Sequence, residues 1–167
     1  MIKIYKHDIA SVFLASLLML TIIDIFLSFH LVKGSSMLPI LLEKNWIISN
    51  NLAYGIRLNG KEKYILLWVT PKKNDIIIIK DPITNKISVK KIFAIPGENF
   101  IKLQKNIIRV ANLNFNIDEK HLQKLQNTSI PNNYYLVIGE NRQVSLDSRD
   151  YGFIDINNIV GKIIYRL

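Results

Sequence analysis

A serine and a lysine are the two side chains of this sequence that together could perform nucleophilic catalysis. Ser36 lies in the stretch 34–39, GSSMLP, between a glycine that lets the backbone approach a substrate closely and a proline that stiffens the chain. Lys90 lies further along, in the apolar stretch 87–95. A neutral lysine amine can remove the proton of a serine hydroxyl and turn it into a nucleophile. The pair therefore predicts a hydrolase that works without histidine or metal.

A lysine serves as a base only when it has lost its proton, and burial in an apolar environment favours the neutral form. Lys90 is flanked by apolar residues in a predicted strand, and Lys91 follows it directly. Successive strand residues face opposite sides, so only one of the two points inward, and alternation alone does not say which. Each feature alone also fits an ordinary role, with Ser36 in a loop and both lysines on an exposed edge strand.

The amino-acid composition excludes several other kinds of catalytic site. The sequence has no cysteine, which excludes thiol catalysis, cysteine-bound zinc and iron–sulfur clusters. The histidines do not form a triad, because His7 precedes a long apolar segment, His30 lies inside it, and His121 stands in a polar stretch. The net charge is +9, but the lysines are scattered rather than clustered. We therefore expect no cofactor, no metal and no nucleic-acid partner.

The segment 9–32 is apolar with few interruptions and exceeds the length of about 20 residues that a helix needs to cross a bilayer. Asp24 and His30 interrupt it, and a charge in such a helix is unfavourable. A cleaved signal peptide is the alternative, but no small-x-small site precedes Gly34. The segment is therefore predicted to be a membrane anchor.

Lysines before the apolar segment, Lys3 and Lys6, predict that the N-terminus stays in the cytoplasm. The prediction is a short cytoplasmic N-terminus and transmembrane anchor in residues 1–33, followed by an extracytoplasmic catalytic domain in residues 34–167. The localisation that follows is the cytoplasmic membrane, crossed once, with the lipid bilayer as a partner.

After Gly34 the sequence consists of short β-rich runs separated by Gly, Pro, Asn and Asp. It predicts a mainly β fold, an antiparallel β-barrel-like catalytic domain preceded by one N-terminal transmembrane helix. The run 64–69, YILLWV, has no polar alternation; it is either an interior strand, which we favour, or a hydrophobic edge touching lipid. Residues 117–126 are the one candidate for a helix or ordered loop. The predicted strands are 46–48, 64–69, 76–80, 87–95, 100–103, 107–110, 134–138 and 157–165.

Five stretches in order resemble the conserved boxes of bacterial type I signal peptidase, a membrane-bound serine–lysine endopeptidase. The resemblance covers nearly the whole chain, and the order of the five boxes makes it specific. The stretches are 34–39 (GSSMLP), 51–56 (NLAYGI), 74–80 (NDIIIIK), 90–98 (KKIFAIPGE) and 139–153, which contains GENRQVSLDSR and YGF.

The resemblance implies a role for each matching residue. Ser36 takes the place of the nucleophile and Lys90 that of the general base, while Ser145 orients the lysine. The backbone N–H of Ser36, two residues after Gly34, takes the place of an oxyanion donor. Asp147 and Arg149 match a supporting ion pair. The other matching positions are supporting residues: Met37, Pro39, Asn141 and Arg142.

The sequence also departs from the family pattern. Lys91 stands where arginine is usual, so the planar set of N–H donors of a guanidinium is lost. Gly34 stands where some relatives carry a serine that helps to bind the oxyanion. None of the departures removes the dyad, and the short segment after the lysine box implies that the extra domain of larger relatives is missing. The remaining departures are Ile40 for threonine, Ala94 for glycine, and Glu98 and Glu140 for aspartate.

The function implied is removal of N-terminal signal peptides from preproteins with small-x-small cleavage sites. A specialised processing peptidase for pilus or conjugation substrates is a narrower alternative. A self-cleaving repressor-type protease would carry a DNA-binding region or soluble arm instead of the apolar segment. A membrane-tethered, non-enzymatic β-domain is the remaining alternative, and it does not require Ser36 and Lys90 to meet.

Overall fold

A computed structural model describes residues 6–57, 63–82, 84–104, 106–117 and 128–166. Antiparallel strands make up most of them. The elements in chain order are α1 (Lys6–Phe26), β1 (Leu27–Leu31), β2 (Trp46–Asn50), β3 (Gly55–Arg57), β4 (Tyr64–Leu67), β5 (Ile76–Lys80), β6 (Ile87–Ala94), β7 (Ile101–Gln104), β8 (Ile107–Val110), β9 (Leu113–Asn116), β10 (Tyr134–Ile138), α2 (Ser148–Tyr151), β11 (Ile154–Asp155), a 3₁₀ turn (Ile156–Asn158) and β12 (Ile159–Arg166).

Seven strands form the main sheet, in the order β1-β2-β12-β5-β6-β10-β11. Two smaller sheets, β3-β4 and β7-β8-β9, complete the described part of the fold. Every strand pair with an established register is antiparallel. The predicted mainly antiparallel β fold is therefore confirmed.

The central pair β5–β6 determines which side chains enter the core around the lysine. Ile77 stands opposite Lys90, and Ile79 stands opposite Ser88. Ile77, Ile79 and Ile92 are fully buried in one hydrophobic cluster. Because alternate residues of a strand share a face, Ser88, Lys90 and Ile92 point to this buried side of the sheet.

The predicted anchor does not form one continuous helix. Helix α1 ends at Phe26, and Leu27–Leu31 forms strand β1, whose backbone pairs with β2. The polar residues of this part gain partners as strand residues: Ser28 Oγ accepts from Asn51 Nδ2 at 2.7 Å, and His30 Nε2 lies 3.2 Å from Ser49 Oγ. The main sheet thus begins before the predicted boundary at residue 34. Within the described ranges, no helix combines the length and hydropathy of a membrane-spanning segment.

The prediction that the run 64–69 is an interior strand is wrong. The side chains of Ile65 and Leu66 are 58% and 55% exposed, and Trp68 is 48% exposed. The physical reason is that β4 pairs with β3 in a two-stranded sheet rather than inside the main sheet. Of the predicted helix or loop at 117–126, Ile117 is a buried residue, and the remainder, including His121, lies outside the described residues.

Ile79→Ala is expected to lower the free energy of unfolding by about 2–5 kcal/mol, because it leaves a cavity at a fully buried position. Ile65→Ala is the matched control, and the exposed position should change that free energy by less than about 0.5 kcal/mol. Urea unfolding of both variants measures the difference. Equal midpoints for the two variants would contradict the assigned core.

Candidate active site

Lys90, not Lys91, is the lysine that points inward. Its side chain is only 3% exposed, and its Nζ donates a hydrogen bond to Ser145 Oγ at 3.1 Å. Lys91 faces the other side of the sheet, where its Nζ lies 2.6 Å from Glu140 Oε1 in a partly exposed ion pair. The register of β6 against β5 thus answers the question that alternation alone left open.

Ser36 lies on the loop after β1, and the segment 32–41 that carries it is fixed by burial. Met37 and Leu41 are buried with Ile47 of β2 in a small hydrophobic cluster. Gly34 has a φ of 84°, a left-handed conformation that favours glycine. The peptide bond between Leu38 and Pro39 is cis.

Gly139 is where the serine loop and the lysine's partner meet. A Cβ placed on Gly139 would lie 2.2 Å from Ser145 Oγ and 2.7 Å from the Ser36 carbonyl oxygen. The Asn141 backbone N–H also donates to that carbonyl at 2.9 Å. Ser36 and Ser145 are therefore neighbours, and this approach requires glycine at 139. Among the described residues, however, no hydrogen bond joins the Ser36 hydroxyl to Lys90.

A groove of about 510 Å³ opens beside Ser36. Its walls are mainly apolar and come from β1, β2, β5 and β6, including Phe29, Ile78 and Val89. Ser88, two residues before Lys90, also lines the groove. Walls made of strands are typical of sites that bind an extended peptide chain.

The electrostatic surroundings of Lys90 favour a neutral amine. Desolvation by burial lowers the pKa of Lys90, while the carboxylates of Asp147 and Asp81 act in the opposite direction. Desolvation is the larger effect, so the pKa of Lys90 lies below its ordinary value. A lysine with a lowered pKa can accept a proton from a neighbouring hydroxyl at a lower pH than a solvated lysine.

The ion pair Asp147–Arg149 holds the residues around Lys90 in place. Asp147 is fully buried, and its Oδ1 lies 2.8 Å from Arg149 Nε. Its Oδ2 accepts the Gly139 backbone N–H at 3.0 Å, and Arg149 Nη2 donates to the Ser145 carbonyl at 3.3 Å. The ion pair thus holds Ser145, which binds Lys90, and Gly139, which adjoins the Ser36 carbonyl. Burial raises the pKa of Asp147, but hydrogen bonds from Arg149 and from backbone amides outweigh it and hold that pKa below its ordinary value.

Comparison with known proteins agrees with the five boxes. Residues 5–167 match the family model described as signal peptidase, peptidase S26. The chain belongs to this family. The predicted resemblance to type I signal peptidase is thereby confirmed, and with it the class of enzyme, a hydrolase.

Several signal peptidases are similar to the chain along most of its length. It is 31% identical over 156 residues to signal peptidase I of Bacillus caldolyticus, covering 82% of this chain and 77% of that one. It is 29% identical over 158 residues to signal peptidase IB of Staphylococcus aureus, covering 82% and 75%. Signal peptidase I of Buchnera aphidicola is 24% identical over 208 residues, covering 80% and 67%. The crystal structure of a signal peptidase I from Enterococcus faecalis matches with a TM-score of 0.41 at 21% identity, covering 57% of this chain and 98% of that one.

The other family positions in this signal peptidase homologue have varied surroundings. Asn141 acts through its backbone, while Arg142 is exposed and has no hydrogen bond or ion pair within the described part of the chain. Glu98 pairs with Lys73 at 2.9 Å. The departures at Ile40 and Ala94 fall at packed positions, Ile40 partly buried and Ala94 fully buried. No group of potential metal ligands occurs among the described residues.

Sequence reasoning missed Gly139 and Ser148 as individual site residues. Ser148 Oγ accepts the Val137 backbone N–H at 2.8 Å, which joins α2 to the strand that leads to Gly139. The signal for Gly139 was available, because it is a glycine directly after a fully apolar strand. The signal for Ser148 was weaker, since a serine at the start of a four-residue helix has no distinctive pattern.

Asp147→Asn is expected to lower the free energy of unfolding by about 3 kcal/mol at neutral pH, because it breaks an ion pair with one fully buried partner. The folded pKa of Asp147 lies below its unfolded value, so the stabilisation is complete above a pH of about 5 and is lost as the pH falls below about 4. Urea unfolding of both proteins across this range measures the difference.

Glu98→Gln is the matched control, since it breaks the more exposed pair with Lys73 and should change the free energy of unfolding by less than about 1 kcal/mol. The role given to Asp147 would be contradicted if Asp147→Asn lowered the free energy of unfolding no more than the control does. It would also be contradicted if the difference from the wild type grew as the pH falls.

Proposed function

We propose that this protein removes N-terminal signal peptides from exported preproteins, with Ser36 as the nucleophile and Lys90 as the general base. The observation that carries the proposal is the buried Lys90 amine, bonded to Ser145 and next to the loop that bears Ser36. Membership of the signal peptidase family and the names of the relatives support the same reaction.

The substrate binds in an extended form along the edge of β6. Ile87 to Lys90 pair with β5 on one side, and within the described ranges no strand pairs with their other side. This free edge borders the groove beside Ser36. A peptide that adds a strand there gains backbone hydrogen bonds, while side chains on alternate residues enter the groove. Small residues at the first and third positions before the scissile bond fit these apolar walls.

Acylation starts when neutral Lys90 takes the proton of the Ser36 hydroxyl. The Ser36 oxygen attacks the scissile carbonyl carbon, and the resulting oxyanion is met by the Ser36 backbone N–H, which has no partner among the described residues. The C–N bond then breaks, and the leaving amine takes the proton from Lys90. The mature protein leaves as the amine product, and the signal peptide remains as an ester on Ser36.

Deacylation uses the same base. Lys90, neutral again, takes a proton from a water molecule that attacks the ester carbonyl. The C–O bond to Ser36 breaks, Ser36 regains a proton from Lys90, and the signal peptide leaves with a new carboxyl group, which loses its proton to the solvent. Ser145 accepts a hydrogen bond from the amine and keeps it oriented between the two steps.

We also propose that the enzyme works at the outer face of the cytoplasmic membrane, with α1 as its attachment to the lipid bilayer. Between residues 9 and 20, α1 exposes apolar side chains on all sides, among them Val12, Phe13, Leu14 and Leu18 at 60% or more. The exposed apolar residues of β4 offer a second lipid-facing surface. The site would then lie where an exported chain emerges.

Ser36→Ala and Lys90→Met are each expected to reduce cleavage of a preprotein with a small-x-small site by at least about 10³-fold, because the nucleophile or its base is lost. Cleavage is followed in detergent by gel electrophoresis and mass spectrometry. Lys91→Met is the matched control, because it changes the neighbouring lysine on the opposite strand face and should retain most of the activity.

Retained cleavage by either Ser36→Ala or Lys90→Met would overturn the dyad. A loss in Lys91→Met as large as that in Lys90→Met would show that strand disruption, and not the base, explains the effect.

The attachment proposal predicts that the full chain, expressed in a bacterium, stays in the membrane pellet after carbonate extraction. Protease added outside spheroplasts should digest the catalytic domain, since the proposed orientation places it outside the cytoplasmic membrane. Recovery in the soluble fraction would contradict attachment, and protection from the protease would contradict the orientation.

A further inference from the structure

Two buried side-chain oxygens have no hydrogen-bond partner among the described residues: Ser88 Oγ and Tyr151 Oη. Buried polar groups in folded proteins are nearly always paired, because an unpaired one is destabilising. An exception next to a catalytic site therefore needs an explanation. The two hydroxyls belong to different elements, Ser88 to β6 and Tyr151 to the end of α2.

Ser88 shares the sheet face of Lys90 and also lines the groove beside Ser36. It stands two residues before Lys90 on β6, so both side chains point to the same face of the sheet. The register supports this, since Ser88 faces Ile79 and Lys90 faces Ile77, which are buried in one cluster. Ser88 also lines the groove that contains Ser36.

When Lys90 takes a proton it becomes an ammonium, whose N–H groups need hydrogen-bond acceptors. A lysine ammonium has three N–H donors, and Ser145 Oγ is the one acceptor bonded to Nζ among the described residues. The charged groups around it are Asp81 after β5 and Asp147, Arg149 and Asp150 around α2. None of them forms a hydrogen bond with Nζ in the described ranges, so the charge formed on proton transfer calls for another nearby oxygen.

We propose that Ser88 is a positioning residue whose Oγ accepts a hydrogen bond from the Lys90 ammonium formed when the amine takes the Ser36 proton. Its hydroxyl is unpaired in the resting site because that bond forms only in the charged state. This assignment rests on the proposed function, since it requires Lys90 to be the base.

The experiment compares kcat, KM and the pH dependence of kcat for the wild type and Ser88→Ala. Loss of an acceptor for a charged donor is expected to lower kcat about tenfold with KM changed less than about twofold. The variant should also move the acidic limb of the kcat profile to lower pH by about half to one unit, because the ammonium form of Lys90 loses stabilisation.

Two further variants separate this role from packing. Ser88→Thr keeps the hydroxyl and should restore kcat and the position of the acidic limb. Tyr151→Phe removes the other unpaired buried hydroxyl and should leave both unchanged. Wild-type values in Ser88→Ala, a change in KM alone, or an equal shift of the limb in Tyr151→Phe would overturn the assignment.

The cleavage assays separate the role of Ser88 from the proposed function. If the wild type cleaves the preprotein, Ser36→Ala does not, and Ser88→Ala behaves as the wild type, the proposed function stands and the role of Ser88 is wrong. Cleavage that survives in Ser36→Ala overturns both.

Discussion

The burial of one amine sets the requirements for the rest of the site. Lys90 projects from the middle of β6 onto a sheet face made of Ile77, Ile79 and Ile92, all fully buried. Burial takes both forms of the side chain out of water, but the loss of hydration costs far more for the ammonium than for the neutral amine, so the surroundings favour the form that can act as a base. The nearby carboxylates of Asp147 and Asp81 limit this effect without cancelling it.

The loop that bears Ser36 and the loop that bears Ser145 must both lie close to that amine, and one polar network holds both loops. The Asp147 carboxylate binds Arg149 on one side and the Gly139 backbone on the other. In the same loop, the Ser145 carbonyl accepts a hydrogen bond from Arg149 Nη2. The Asn141 backbone N–H donates a hydrogen bond to the Ser36 carbonyl. The loop that bears Ser36 and the serine that binds Lys90 are therefore held by one ion pair with a fully buried carboxylate, and by a glycine that leaves room for their contact.

Much of this arrangement could be predicted from local sequence, and the exceptions have physical causes. The apolar pattern predicts a strand at 87–95, and the resemblance of the five boxes indicates Ser36, Lys90, Ser145 and the ion pair as candidates. The orientation of Lys90 rather than Lys91 required the register with β5, which no local pattern contains. The end of α1 at Phe26 was missed because hydropathy does not report that the backbone of β1 pairs with β2. The run 64–69 was misassigned because strand hydrophobicity does not reveal whether a partner sheet covers it.

The protonation state of Lys90 is the most direct test of this account. The protein, labelled with ¹³C at lysine Cε, is titrated by NMR, and the Lys90 resonance is identified by its absence from the Lys90→Met spectrum. The account predicts that this resonance titrates well below the ordinary lysine value of about 10.4, apart from the solvated lysines. A Lys90 resonance that titrates together with the other lysines would contradict the role of burial and, with it, the proposed base.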